Sequence, residues 1–303
     1  MAREVSQLKA DLLAQKLRDA GIECQNLNLL PTDPAVLLRD RIVIFLALTL
    51  LTALAWSYVL WLSADVDMGG GMDMTGLRMI PSGMGLMMAA HMPWPPMEFA
   101  FVFAMWTVMM VGMMTPSAAP MILMYDRLGR QTEAQGTPLV ATVWFGAGYF
   151  LVWAAFSLLA TLVHWALDRS ALLDPAMAGT SSVLAALLFV AAGCYQWTRL
   201  KNIWLDQCRM PFAFLIRHGG FRHDAAGSVM LGLRHGAYCV GCCWALMTLL
   251  FVGGVMNLPW ILLLALLVLL EKVTSFGRQI AHLAGVVFVA GGAWLLLMDV
   301  SPW

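Results

Sequence analysis

Residues 99–124 read FAFVFAMWTVMMVGMMTPSAAPMILM, a run of 26 residues without a charged side chain. A helix needs about 20 apolar residues to cross the hydrocarbon core of a bilayer, so this run predicts a transmembrane helix. The composition of the whole chain agrees, because 61% of its 303 residues are apolar and only 12% are charged. A soluble domain carries about 25% charged residues, so a soluble globular protein is excluded.

Similar uncharged runs recur along the chain and predict an all-α, polytopic membrane helix bundle with seven transmembrane helices. The runs are residues 42–62, 99–124, 139–166, 177–197, 236–256, 258–270 and 279–298. The sixth run has only 13 uncharged residues. We expect its helix to continue through Glu271 and Lys272, with a re-entrant loop as the alternative.

The basic residues predict the orientation of the bundle, because short loops rich in Lys and Arg stay in the cytoplasm. With the N-terminus inside and the C-terminus outside, sixteen of the eighteen basic residues lie on the cytoplasmic side. Only Arg78 and Arg169 then lie outside. The opposite orientation would invert this distribution.

The chain is predicted to have two parts, a cytoplasmic amphipathic tail over residues 1–38 and the seven-helix membrane domain over residues 39–303. Apolar residues in the tail recur at helical spacing from Val5 to Leu17, and a plain solvated tail is the alternative. Eighteen basic residues are balanced by eighteen acidic ones, so nucleic-acid binding is not expected.

Sixteen of the 23 methionines fall between residues 68 and 124. Nine belong to a predicted Met-rich outer loop over residues 65–97. Five others follow one another at helical spacing inside the second run and are here called the methionine stripe: Met105, Met109, Met110, Met113 and Met114. Thioethers are soft ligands that suit Cu(I), and residues four apart stack on one helix face. The stripe predicts a route for a soft metal ion, with simple core packing as the alternative.

Three of the six cysteines lie in one stretch of five residues, 239–243, inside the fifth run. Residues 235–243 read HGAYCVGCC. His235, Cys239 and Cys243 share one helix face, and Cys242 lies beside them. Thiolate and imidazole ligands favour Cu(I), with Zn(II) as the second candidate. These four residues, with Cys208 as a further sulfur donor, form the second predicted metal site. Small apolar packing is the alternative for the cysteines.

Few other polar residues stand out. An ionisable group at membrane depth is costly and is therefore a functional candidate, which applies to Glu271. The alternative is an ion pair of Glu271 with Lys272 or Arg278. His164 and His282 lie near the ends of runs and are predicted to be interfacial groups, with haem ligation as the alternative. The sequence has no catalytic triad, phosphate-binding loop or dinucleotide fingerprint, so an enzyme is not expected.

Several longer segments follow the pattern of one family. They read MWTVMM at 105–110, MMTPSAAPMILMY at 113–125, GCYQ at 193–196, CRMP at 208–211, RHGAYCVGCCWALM at 234–247, GVMN at 254–257 and EK at 271–272, with Lys201 and Leu205 between them. Together they resemble a bacterial family of predicted metal-binding integral membrane proteins, a family of unknown function. The resemblance covers residues 39–295 and implies metal handling, with copper the leading metal, in the bacterial inner membrane.

The chain departs from this family pattern at two positions. Trp204 stands where the family often has a cysteine, and Arg199 where a proline is common. The first departure removes one member of a cytoplasmic two-cysteine site, so Cys208 is expected to lack a partner cysteine.

These patterns predict a membrane protein that binds Cu(I) and relays it from the Met-rich loop along the second helix to the cysteines, for transport or for delivery to a copper enzyme. The expected partners are the lipid bilayer and a periplasmic copper chaperone or copper enzyme. The alternatives are a non-catalytic accessory subunit of a larger membrane complex and a membrane thiol oxidoreductase that uses Cys239 and Cys242. The relay requires the second and fifth helices to meet; otherwise the stripe is packing.

Overall fold

The structure, a computed structural model, describes residues 34–67, 94, 96–132, 138–170, 181–222, 224–255 and 257–300. These residues form ten helices and no strand, which confirms the all-α prediction. Most of the predicted tail (residues 1–33), most of the predicted Met-rich loop (residues 68–93) and Cys24 lie outside the described residues.

The helices are numbered here in chain order. They are α1 (Pro34–Asp67), α2 (Pro96–Thr132), α3 (Pro138–Arg169), α4 (Ser182–Gln196), α5 (Arg199–Arg209), α6 (Pro211–Arg217), α7 (Ala225–Thr248), α8 (Leu250–Gly253), α9 (Leu258–Val273) and α10 (Gly277–Val300).

Local sequence signals explain where the shorter helices begin. The side chains of Ser181, Thr198, Asp224 and Asn257 each accept a hydrogen bond from a backbone N–H in the first turn of α4, α5, α7 and α9. Such caps satisfy donors that a helix start leaves unpaired. In contrast, α2 is continuous although Pro116 and Pro120 lie inside it.

Among the described residues, five helical segments are long and apolar enough to cross a membrane, namely Ile42–Leu62, Pro96–Arg130, Leu139–Arg169, Ala225–Gly253 and Gly277–Met298. A sixth is added if α4 and α5, which meet at a bend of 66°, are counted as one span. The fourth predicted span therefore corresponds to a 15-residue helix followed by a sharp turn. The sixth corresponds to the 16-residue α9, which continues through Glu271 and Lys272 as predicted.

Glycines bring the central helices close together. A Cβ atom at Gly148 of α3 would overlap the carbonyl oxygen of Val229 in α7, and one at Gly232 of α7 would overlap the carbonyl oxygen of Phe145 in α3. Small residues allow this backbone approach. Helices α3 and α7 therefore form one tightly packed pair, and α4 and α10 form a second. Helix α2 packs between α1 and α3 and also contacts α9.

We expect Gly148→Ala to lower the free energy of unfolding by about 1–3 kcal/mol, because the added methyl group forces α3 away from α7. Thermal unfolding of the purified protein in detergent would measure the change. Gly146→Ala is the matched control, since a Cβ there meets nothing within 4 Å. Alanine is the better helix former, so the control should be as stable as the wild type or more so. Equal loss in both variants would contradict the packing described.

Candidate metal centre

The methionine stripe lies in the core of the bundle. Each of its five side chains is at most 2% exposed. Met109 and Met113 line one narrow crevice between α2, α1 and α9, together with Trp56 of α1 and Ile261 of α9. The two side chains thus share a face, as their spacing predicts.

The predicted ligands of α7 are also buried. His235, Cys239, Cys242 and Cys243 are each at most 2% exposed. The thiols of Cys242 and Cys243 donate hydrogen bonds to the carbonyl oxygen of Cys239 at 3.1 and 2.9 Å. Within the described residues, no group of three or more His, Cys, Asp or Glu side chains is arranged to hold a metal ion. The four side chains lie together but do not converge on one point.

Cys208 has a partner cysteine, so the expectation that it lacks one is wrong. Its Sγ lies 3.9 Å from the Sγ of Cys242. Trp204, one turn earlier in α5, packs on Gly241, where a Cβ atom would overlap the indole ring. The close approach of α5 to α7 at this glycine brings Cys208 to the cysteines of α7, with which it was predicted to share a metal site.

Lys272 lies among the cysteines rather than at an interface. It is 6% exposed. Its Nζ donates to the Sγ of Cys239 at 2.9 Å and to the Oγ of Ser117 at 3.4 Å. Lys272 therefore joins α9, α7 and α2 at a single point.

Tyr149 of α3 makes a second connection at the same place. Its hydroxyl lies 3.1 Å from the Sγ of Cys239 and donates a long hydrogen bond of 3.5 Å to the carbonyl oxygen of Met114. Helices α2 and α7 are not a principal packing pair, so the condition stated for the relay, that these two helices meet, is not fulfilled. Side chains of α3 and α9 bridge the two helices instead. The sequence did not identify Tyr149 as part of the site, because an isolated tyrosine in an apolar run usually only packs in the core.

The imidazole of His235 is enclosed by aromatic rings. Its centroid lies 6.0 Å from Phe145, 5.6 Å from Tyr149 and 5.3 Å from Phe214. Its Nδ1 is buried and has no hydrogen-bond partner among the described residues. A buried nitrogen without a partner is costly. This nitrogen is chemically suited to ligate a metal ion one helical turn from Cys239.

Glu271 forms a separate buried ion pair. Its carboxylate accepts from Lys201 Nζ at 2.7 Å and from Gln196 Nε2 at 3.1 Å. The pairing with Lys272 or Arg278 that was the alternative for Glu271 is not formed, because Lys272 contacts Cys239 and Arg278 pairs with Asp206 of α5. Glu271 therefore ties α9 to α4 and α5 next to the cysteines.

His164 and His282, for which haem ligation was the alternative, do not form a haem-binding pair. His164 is 3% exposed, so it is not the interfacial group expected. Its Nδ1 accepts a hydrogen bond from Trp106 Nε1 at 3.2 Å, so its neutral ring carries the proton on Nε2. Both ring nitrogens of His164 are then unavailable as ligands in that tautomer. His282 is exposed.

Residues 103–295, nearly two thirds of the chain, match the sequence model of a family described as PpoB2, copper chaperone. The chain belongs to this copper chaperone family. The matched segment contains the methionine stripe, Cys208, Lys272 and all predicted ligands of α7. Comparisons with curated proteins and with solved structures give no match. Membership of the PpoB2 family is compatible with copper and gives no support to zinc.

The Lys201–Glu271 pair gives a stability prediction. Lys201→Met or Glu271→Leu alone should lower the free energy of unfolding by about 3–5 kcal/mol, because each leaves one buried charge unpaired. The double variant should lose much less. Thermal unfolding of all three variants in detergent checks this pattern.

Arg278→Met is the control, because it breaks the Arg278–Asp206 pair, in which the arginine side chain is 55% exposed. Exposed pairs contribute about 1 kcal/mol or less. A double variant as unstable as the sum of the single variants would show that the two charges do not interact.

Proposed function

We propose that this chain is an integral membrane copper chaperone that binds Cu(I) at its cysteines and exchanges it with the methionine stripe of α2. One observation supports this most strongly. Tyr149 and Lys272 both contact the Sγ of Cys239, and both also contact α2, at Met114 and Ser117. The inner end of the stripe is thereby held next to the cysteines.

The chemistry of the side chains suits a soft monovalent ion. Thiolates and thioethers prefer Cu(I), whereas Mg²⁺ and Ca²⁺ require oxygen ligands. Sulfur atoms of Cys208 and Cys242 already lie 3.9 Å apart on two different helices. Cys239 and the Nδ1 of His235 add donors within one to two helical turns. In the proposed centre, thiolates hold the ion and thioethers, which bind it less strongly, accept or deliver it.

We further propose the seven-helix topology with the N-terminus in the cytoplasm and the Met-rich loop in the periplasm. The contacts at the two ends of the bundle support it. Arg209 donates to the carbonyl oxygens of Thr274 and Ser275 at one end. Trp94 donates to Asp168 at the other. Basic residues are concentrated at the first end, as the charge rule requires for a cytoplasmic face.

Copper is the cargo in this proposal, and no enzymatic step is involved. The ion moves by ligand exchange between sulfur atoms, so no nucleotide site is needed. The periplasmic partner is a copper chaperone or a copper enzyme that takes up or supplies Cu(I) at the Met-rich loop.

Copper binding by variants tests the proposed centre. Purified protein loaded anaerobically with Cu(I) should retain about one copper per chain with sulfur ligands, as X-ray absorption spectroscopy would report. Cys239→Ser/Cys242→Ser should abolish this binding. Cys194→Ser is the matched control, because Cys194 is an exposed thiol on α4 and should be dispensable.

Loading kinetics test the role of the stripe. Met109→Leu/Met113→Leu keeps the volume of the core but removes two thioethers, so copper should reach the cysteines more slowly while the final copper content is unchanged. Met247→Leu replaces a buried methionine outside the stripe and should load like the wild type. Wild-type protein that binds no copper and serves only to assemble a larger complex would refute the proposal, as would Zn(II) bound in preference to Cu(I).

A further inference from the structure

The ammonium group of Lys272 has an unusual environment. It is buried, and within the described part of the chain its hydrogen-bond partners are a thiol and a hydroxyl, with no carboxylate at ion-pair distance. A buried charge without a compensating charge is strongly unfavourable. A negative charge near Cys239 would offset the cost of burying the ammonium group.

The neighbouring acid cannot supply that charge. Glu271 is adjacent in sequence, but its carboxylate accepts from Lys201 and Gln196, and Lys201 already balances it. The remaining candidates are the thiol of Cys239, which the Nζ of Lys272 contacts at 2.9 Å, and the thiols of the neighbouring Cys208, Cys242 and Cys243. Lys201 and Glu271 thus form one neutral pair, and Lys272 and the cysteines form a second unit whose charge depends on what the cysteines hold.

We infer that Lys272 is the built-in counter-cation of the copper centre, which neutralises the anionic complex formed when two thiolates, one of them Cys239, hold one Cu(I) ion. This inference rests on the proposed function. On binding, each of the two thiols gives up its proton to the solvent. Two thiolates and one monovalent ion carry a single negative charge, and the ammonium group of Lys272 brings the total to zero.

The same charge count predicts that the centre prefers monovalent to divalent metal ions. A divalent ion held by the same two thiolates would form a neutral complex, and the charge of Lys272 would then be uncompensated in the core. Lys272 should therefore favour Cu(I) and Ag(I) over Zn(II). The Oγ of Ser117 accepts a second hydrogen bond from the Nζ of Lys272 without adding charge, so it serves to position the ammonium group.

The test compares metal affinities of the wild type, Lys272→Met, Lys272→Gln, Lys272→Arg and Ser117→Ala in detergent. Cu(I) affinity is measured by anaerobic competition with a chromophoric Cu(I) chelator, Ag(I) by competition with bound Cu(I), and Zn(II) by a zinc-sensitive dye. We expect the two neutral variants to bind Cu(I) and Ag(I) about 10- to 100-fold more weakly, the range found when a residue that supports a ligand is removed. Their relative affinity for Zn(II) should rise.

Lys272→Arg retains the charge and should stay close to the wild type. Ser117→Ala retains the charge but removes one contact of the ammonium group, so its Cu(I) affinity should lie between those of the wild type and the neutral variants. Thermal unfolding of each variant shows whether it is folded, and two neutral variants are used so that poor folding of one does not decide the result.

If the wild type binds Cu(I) and the neutral variants bind it equally well, Lys272 is not the counter-cation although the proposed function stands. Equal losses in the arginine and neutral variants would also overturn the inference, because packing alone would explain them. If the wild type binds no Cu(I), the proposed function and the inference both fail.

Discussion

The contacts at the sulfur of Cys239 hold the centre of the bundle together. The Nζ of Lys272 and the hydroxyl of Tyr149 both reach this atom, and the thiols of Cys242 and Cys243 bond to the carbonyl oxygen of the same residue. One position of α7 is thus linked to α3, α9 and, through Met114 and Ser117, α2. A polar group in an apolar core must find its partners inside the protein, so this requirement fixes how the four helices are arranged.

Sequence reasoning predicted the elements that depend on local composition. The long apolar run of α2 and the continuation of α9 through Glu271 and Lys272 follow from hydrophobicity over neighbouring residues. The end of α4 at Gln196 was predicted, because the fourth run ends at Trp197 and charged residues follow it. The sharp bend between α4 and α5 was not predicted, because hydropathy carries no information about the angle between two helices.

The candidate site was predicted in part for the same reason. Cys239, Cys242 and Cys243 were found from their spacing on one helix, which is a local property. Cys208, Tyr149 and Lys272 join them from three other helices, and such contacts depend on the packing of residues at least 33 positions apart. The pairing of Glu271 with Lys201 was missed because each had several possible partners of opposite charge nearby in sequence.

The glycine contacts between α3 and α7 also determine which parts of the centre are able to move. Because Gly148 and Gly232 allow the two backbones to approach closely, Tyr149 and Cys239 lie on one tightly packed helix pair. Helices α9 and α5, which carry Lys272 and Cys208, have less extensive backbone contact with α7 than α3 has. A change in the sulfur cluster that displaces α9 or α5 therefore breaks fewer helix contacts than one that separates α3 from α7.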